Sequence, residues 1–252
     1  MKVLATYNIK GGVGKTAAAV NVGHLASRDG LRTLVWDLDP QGAATWYFRI
    51  KPKVKGGGKA LVRGDRGLAE AIKGTDFDGL DLVPADFSYR NLDLLLDGRK
   101  RPTRRLTRLL KPLRDDYDLV VLDCPPSISL ASEAVFEATD ALLVPVIPTS
   151  LSVRTLDQLD RFLDDTFADG DGPALLPFFS MVDARRTLHR QLMDDVRREH
   201  PETLTARIPS ASAVERMGVH RSPLTAEAPR TRAGLAYRDL WSEVRERLAL
   251  TG

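Results

Sequence analysis

The sequence predicts a doubly wound α/β fold, a mainly parallel sheet with helices on both faces. Three observations carry that expectation. Apolar runs of strand length alternate with helix-period segments along almost the whole chain. The first strand runs directly into a glycine-rich turn and a helix, the order of a βαβ unit. Two strands end in aspartate, Asp37 and Asp123, at the edge where open α/β sheets gather ligands.

The elements follow in order. Residues 2 to 8 read as a buried strand, 16 to 29 as a helix and 32 to 38 as a second buried strand. A short helix is expected from Ala43 to Phe48. Seven basic residues then lie between Arg49 and Arg66 around Gly56, Gly57 and Gly58, and this stretch reads as a mobile basic loop. Residues 68 to 73 and 89 to 96 read as helices flanking a strand at 80 to 84. Leu106, Leu109, Leu110 and Leu113 stand at core spacing in a helix expected over 103 to 115. Strands at 119 to 122, 141 to 147, 175 to 181 and 204 to 208 alternate with helices at 131 to 139, 153 to 167 and 187 to 199. A short helix near Ala213 and a final one over 231 to 248 end the pattern. No internal repeat is visible, and residues 1–252 are expected to form a single domain.

Composition narrows the function. A chain with 43% hydrophobic and 28% charged residues can bury a large core, and no apolar run approaches the ~18 residues of a membrane span. The first strand leaves no room for a secretory leader, so a cytoplasmic location is expected. Cys124 is the single cysteine, which excludes an internal disulfide and a cysteine-ligated cluster. The four histidines lack ligand spacing, so no metal other than Mg²⁺ is expected. A net charge of +3 proves no polyanion partner, but the arginines cluster, as at Arg99 to Arg101 and at Arg185 with Arg186.

Lys10-Gly11-Gly12-Val13-Gly14-Lys15-Thr16, directly behind the first strand, describes a phosphate cradle. Glycines permit positive φ and let backbone N–H groups converge on an anion at a helix N-terminus. Lys15 would then reach the β and γ phosphates of ATP and the Thr16 hydroxyl would meet Mg²⁺. The common pattern asks for glycine where this chain has Ile9, so it fails in its strict form. Asp123, at the end of an apolar strand, supplies the carboxylate expected near that Mg²⁺.

With Lys10 at the second position of the loop, this segment resembles the deviant phosphate loop of the ParA/MinD family of ATPases. Asp37 to Gly42 and Asp123 to Pro126 extend the resemblance in the family's order, and weaker likeness covers nearly the whole chain. The resemblance implies an ATP-sandwich homodimer in which Lys10 crosses to the partner's nucleotide. It implies that Asp39 orients the attacking water, that Asp37 lies close to Mg²⁺ and that Asp123 acts through a metal-bound water. Gly11, Gly12, Val13, Gly14, Lys15, Thr16 and Ala17 would line the phosphates, and Met181, Asp183, Pro209 and Ser210 would border the adenine. Ala17 stands where many relatives have a second threonine that touches the α-phosphate, a loss of about 0.5 to 1.5 kcal/mol.

The resemblance further implies slow hydrolysis stimulated by a ParB-like or other cargo-adaptor protein, non-specific DNA binding, and a nucleoid-associated location. Arg185, Arg186, Arg216 and Arg221 are the candidate DNA contacts, summed over two subunits. The stretch from Ile208 to Glu215 lacks the arginine-rich version of typical partitioning members, which leaves the cargo open. Two alternatives remain. A MinD-like membrane switch would need the amphipathic segment 235 to 250 free, and a biosynthetic ligase would share the phosphate loop.

Overall fold

In a computed structural model, residues 1–97, 100–168 and 170–250 are described. Arg99, part of one basic cluster, lies outside them. Eight strands form one sheet in the order β3-β4-β2-β5-β1-β6-β7-β8. Their ranges are β1 Lys2–Thr6, β2 Thr33–Asp37, β3 Lys73–Gly74, β4 Leu80–Val83, β5 Leu119–Asp123, β6 Ala141–Val146, β7 Ala174–Val182 and β8 Arg207–Pro209. All pairings are parallel except the short edge pairing of β3 with β4. The chain builds one half of the sheet through β5 and the other from β6 onward, so strand order reverses beside β1.

Successive side chains of a strand point to opposite faces, and both faces here are covered. Along β5, Val120 and Leu122 enter one core cluster while Leu119 and Val121 enter the other. The second cluster is built on α1 (Lys15–Arg28), which is buried over nearly its whole length. Its alanines and Gly23 let it lie close on the sheet: a Cβ at Gly23 would stand 2.7 Å from the Val35 side chain.

Most expected elements form within one or two residues of their predicted ends, including α2 (Ala43–Tyr47). The basic segment departs most. In place of a loop it holds α3 (Gly57–Arg63), with Ala60, Leu61 and Val62 buried and Lys59 and Arg63 facing solvent. Gly56 starts it at φ 81°, and a Cβ on Gly58 would meet the Tyr89 ring at 2.9 Å. The glycines therefore turn and dock the segment.

Residues 68 to 71 form one 3₁₀ turn before β3, and a second 3₁₀ turn precedes α4 (Leu92–Asp97). The helix expected over 103 to 115 is confined to α5 (Arg105–Leu110) between 3₁₀ turns, because Pro112 has no N–H to continue it. After α6 (Leu130–Ala138), α7 (Ser150–Thr166) and α8 (Thr187–Glu199), the strand expected at 204 to 208 shifts to β8. The N–H groups of Thr205 and Ala206 donate to the Glu243 carboxylate at 2.7 and 2.8 Å, so these residues are held by a side chain there.

Three single-turn helices, α9 (Ser212–Glu215), α10 (Met217–His220) and α11 (Leu224–Glu227), lead to α12 (Arg232–Arg247), capped by the Thr231 hydroxyl. Leu240, Trp241 and Val244 of α12 are buried in the α1 cluster, and the Trp241 indole N–H donates to Asp29 at 2.7 Å. The apolar face of this helix is spent on the core. No helix among the described residues is long and apolar enough to cross a membrane.

A polar link crosses the same core: His24 Nδ1 lies 2.7 Å from the Thr225 hydroxyl, and the Thr225 N–H donates to Asn21. Burial, then the nearby Arg28, hold the His24 pKa down at about 4. A depressed histidine pKa stabilises the fold above the unfolded value of about 6.5, and that stabilisation is lost as pH falls toward 4. We expect an acid limb of roughly 2–3 kcal/mol in this window, from linkage. Urea unfolding between pH 7.5 and 4 should show that limb flattened in His24→Asn; an identical limb in the variant would refute it.

Candidate functional site

The loop after β1 is fixed before it turns. Asn8 donates through Nδ2 to the Pro145 carbonyl at 2.9 Å and accepts the Lys10 N–H through Oδ1 at 2.8 Å, tying the loop's start to β6. Gly12 and Gly14 take left-handed φ values of 70° and 99°. No side chain among the described residues caps the N-terminus of α1, which leaves its first-turn amides facing the loop. The buried Lys15 side chain curls back so that Nζ donates to the Lys10 carbonyl at 3.1 Å. Burial lowers the Lys15 pKa, opposed first by Asp123. Val13 and Ala17 are buried, whereas Gly11 and Lys10 face outward to greater degrees.

Strand register assembles the carboxylates. Asp123 is the pairing partner of Thr6 on one side and of Asp37 on the other, so two acids stand on adjacent strands at one edge. Burial pushes the Asp123 carboxyl well above the usual range, Asp37 adds to the rise, and Thr16 and Lys15 oppose it. Its Oδ1 lies 3.3 Å from the Thr6 hydroxyl, while its buried Oδ2 has no hydrogen-bond partner among the described residues.

Asp37 is raised too, by burial first, and is held by two donors from α2. The Thr45 N–H and hydroxyl both reach Oδ2, at 2.8 and 2.7 Å. The half-buried Asp39 accepts the Gln41 N–H at 2.9 Å.

An orphaned carboxylate oxygen, a second buried acid and a threonine hydroxyl fit a small hard cation. Among the described residues no group of three or more acidic, histidine or cysteine side chains forms a cage of its own. The donor set therefore suits a cation that keeps ligands from water and phosphate, as Mg²⁺ does.

The remaining expected contacts reach the same edge by a second route. Gly14 stands against β7, where its Cβ would lie 2.9 Å from the Ser180 hydroxyl. Val182 is in register with Pro209, and the Ser210 N–H donates to the Val182 carbonyl. Met181, exposed and at φ 54°, and Asp183 thus adjoin Pro209 and Ser210 beside the loop.

Asp183 is already engaged. Arg185 grips both its oxygens at 3.0 and 3.1 Å, Arg186 lies 3.8 Å away, and the Arg185 guanidinium draws the Asp183 pKa down to about 2. A base contact there would go through backbone.

Of the four candidate DNA arginines, Arg185 and Arg186 follow β7 and remain exposed, and Arg216 contacts the Ser212 hydroxyl at 3.3 Å. Arg221, partly exposed, stacks on Trp46. The roles of Asn8, Thr45 and Ser180 were not visible in the sequence, since each acts through a pairing that only the fold creates. A separate cavity of about 450 Å³, lined by Arg28, Asp29, Arg238 and Trp241, lies at the far end of α1 from the phosphate loop.

Comparison with known proteins adds four findings. A family model described as "AAA domain" matches residues 1–168. The sporulation initiation inhibitor protein Soj of Bacillus subtilis (strain 168) is 30% identical over 253 residues, covering 96% of this chain and 98% of Soj.

Among solved structures, cobyrinic acid a,c-diamide synthase from Mycobacterium smegmatis with bound ADP and magnesium is 28% identical. Its TM-score is 0.80, over 98% of this chain and 95% of that one. The Cyanothece McdA–ATP complex has a TM-score of 0.84 at 20% identity, over 100% of this chain and 98% of that one, a likeness of fold.

The two left-handed glycines should differ in tolerance. Gly12 has open space around a would-be Cβ, so Gly12→Ala should cost about 1 kcal/mol from backbone strain alone. Gly14→Ala adds a contact with Ser180 and should cost about 1–3 kcal/mol more. Urea denaturation of both variants measures the difference, and equal midpoints would contradict the crowding at Gly14.

Proposed function

Because this chain belongs to the AAA domain family, as a P-loop ATPase of the ParA/MinD type, we propose that it is an ATP-sandwich switch. It dimerises around two ATP molecules, binds DNA without sequence preference and positions a cargo through an adaptor that stimulates hydrolysis. The observation that supports this reading best is the orphaned Asp123 oxygen beside Thr16 and Lys15, a cation site next to a phosphate loop. Residues 1–252 act as one ATPase domain in this reading.

The amides of Gly11 to Thr16 and the Lys15 ammonium hold the phosphates, and the Thr16 hydroxyl with Asp123 and Asp37 holds Mg²⁺. When bound, Mg²⁺ neutralises phosphate charge and fixes the geometry of the triphosphate. Asp39, half-buried at the end of the Asp37 turn, keeps an attacking water in line; a carboxylate is too weak a base to make hydroxide, so positioning is its contribution. Lys10, anchored through its N–H to Asn8, reaches from each subunit to the other's nucleotide and adds positive charge where the transition state needs it. Met181, Asp183, Pro209 and Ser210 border the base. The chromosome partitioning protein ParA of Caulobacter vibrioides (strain NA1000 / CB15N), 31% identical over 202 residues that cover 78% of this chain and 76% of that one, supports a partitioning role.

A biosynthetic reading has one observation in its favour, the 28% identity to cobyrinic acid a,c-diamide synthase. Phosphate release from ATP with no small-molecule acceptor present separates the two: a switch hydrolyses and a ligase does not.

Three substitutions test the switch. Lys15→Ala should lose ATP binding by calorimetry. Asp39→Ala should bind ATP within a few-fold of the parent yet hydrolyse it at least about 100-fold more slowly, the order expected for a positioning group. Lys10→Ala should bind ATP but remain monomeric by light scattering with a non-hydrolysable analogue. An Asp39 variant with normal turnover, or a parent protein that stays monomeric with analogue and magnesium, would refute the reading.

DNA binding is tested separately. Reversing Arg185, Arg186 and Arg216 to glutamate should abolish salt-sensitive binding to a random duplex, measured by anisotropy. Unchanged affinity would remove this surface from the model of action.

A further inference from the structure

Trp46 and Arg221 form a clasp between the carboxylate side of the site and the segment that carries two candidate DNA arginines. The Arg221 guanidinium carbon lies 3.9 Å from the centre of the Trp46 ring, and its Nε donates to the Trp46 carbonyl at 3.1 Å. The Trp46 indole N–H donates in turn to the Gly218 carbonyl at 2.9 Å. Three contacts therefore join α2 to α10 and the residue after it, although the two segments are 175 residues apart in sequence.

Both ends of this connection lead to the phosphate site. Helix α2 is a rigid turn of five residues, and its Thr45 gives two hydrogen bonds to Asp37 while accepting the Ala85 N–H. Trp46 is the next residue. On the other side, the Met217 sulfur of α10 meets the Asn21 side chain of α1, the helix that begins at Lys15 and Thr16. Movement of either phosphate-sensing element bears on α10.

The clasp competes with a polyanion. A guanidinium takes a phosphate best as a fork, through Nε and one terminal nitrogen, but here Nε is occupied by a carbonyl and one face by an indole. Arg221 is the left-handed C-cap of α10, at φ 52°, and its N–H donates to the Met217 carbonyl at 2.7 Å, so the helix end fixes where its side chain starts.

We propose that Trp46 sequesters Arg221, and that binding of Mg²⁺-ATP at Asp37 and Thr16 opens the clasp to free Arg221 for a DNA phosphate. The inference rests on the reading of this chain as a DNA-binding ATPase and adds how its nucleotide site gates one of the arginines. The clasp is an element with two arrangements, closed on Trp46 or open to phosphate, biased from the nucleotide site.

The protein carries its own reporter. Of its three tryptophans, Trp36 and Trp241 are 2% and 3% exposed while Trp46 is 52% exposed, so acrylamide quenching reads Trp46. Mg²⁺-ATP should raise the quenching constant of the parent roughly two-fold, as expected when one covered ring face is freed, toward that of Arg221→Ala. The Arg221→Ala constant should not respond to nucleotide. A parent constant that stays equal or falls on adding Mg²⁺-ATP overturns the clasp, whatever the DNA result.

The second arm uses Trp46→Leu, which removes ring and indole N–H from a half-exposed position and whose melting temperature verifies folding. Without nucleotide it should bind a random duplex at least ten-fold more tightly than the parent does. If it binds DNA with the parent's full dependence on Mg²⁺-ATP, Trp46 is not the gate. If the parent binds no DNA under any condition, the DNA reading fails by itself, and the quenching arm still decides whether nucleotide opens the clasp.

Discussion

Two carboxylates that strand register forces together organise this molecule. Asp37 and Asp123 are each other's pairing partners on adjacent strands, both buried, and their mutual repulsion is answered by groups drawn from three elements. Thr45 reaches in from α2, Thr6 from β1, Thr16 from the head of α1, and Lys15 lends an opposing charge. Like charges at this separation in a poorly hydrated site are unfavourable, so the arrangement persists only where a cation relieves it or a proton is kept. The nearby elements of the fold can be understood as what holds these acids in place.

That constraint explains why the site lies where strand order reverses. Beside β1 the loops following β1, β2 and β5 converge, which brings the glycine loop, Asp39 and Asp123 to one edge. The second half of the sheet contributes through closeness rather than charge: Asn8 is tied to β6, Gly14 presses on β7, and the Val182–Pro209 register carries the β8 segment alongside. The three short helices after β8 then bring arginines to this edge, two of which interact locally with Ser212 and Trp46.

The fold was largely legible because parallel strands buried on both faces read as unbroken apolar runs, as Val120-Val121-Leu122 does, and the phosphate loop is a local motif. What escaped was non-local or depended on one residue. Pro112 divided a run of well-spaced leucines, and Glu243 captured the amides that would have lengthened β8. Seven charges around Gly56 to Gly58 masked an apolar set, Val54, Ala60, Leu61 and Val62, that docks the segment as a helix. At the site, Lys15, Thr16 and Asp123 are expected from motif and strand position and Asp37 from the family resemblance, whereas Thr45 and Ser180 are defined by what stands opposite them. The commitment of Arg221 to Trp46 was equally invisible, because nothing in either local sequence refers to the other.

The closeness of α1 to the sheet has a further consequence. Gly23 lies two turns beyond Lys15 and contacts no part of the site, yet a single added carbon there would strike Val35 on β2. Only one residue, Trp36, separates Val35 from Asp37, so the gap between helix and strand bears on the height of the phosphate loop above the carboxylates. A survey of tolerated replacements would thus find a forbidden position deep in the scaffold, where the thickness of one layer of atoms calibrates the depth of the chamber above it.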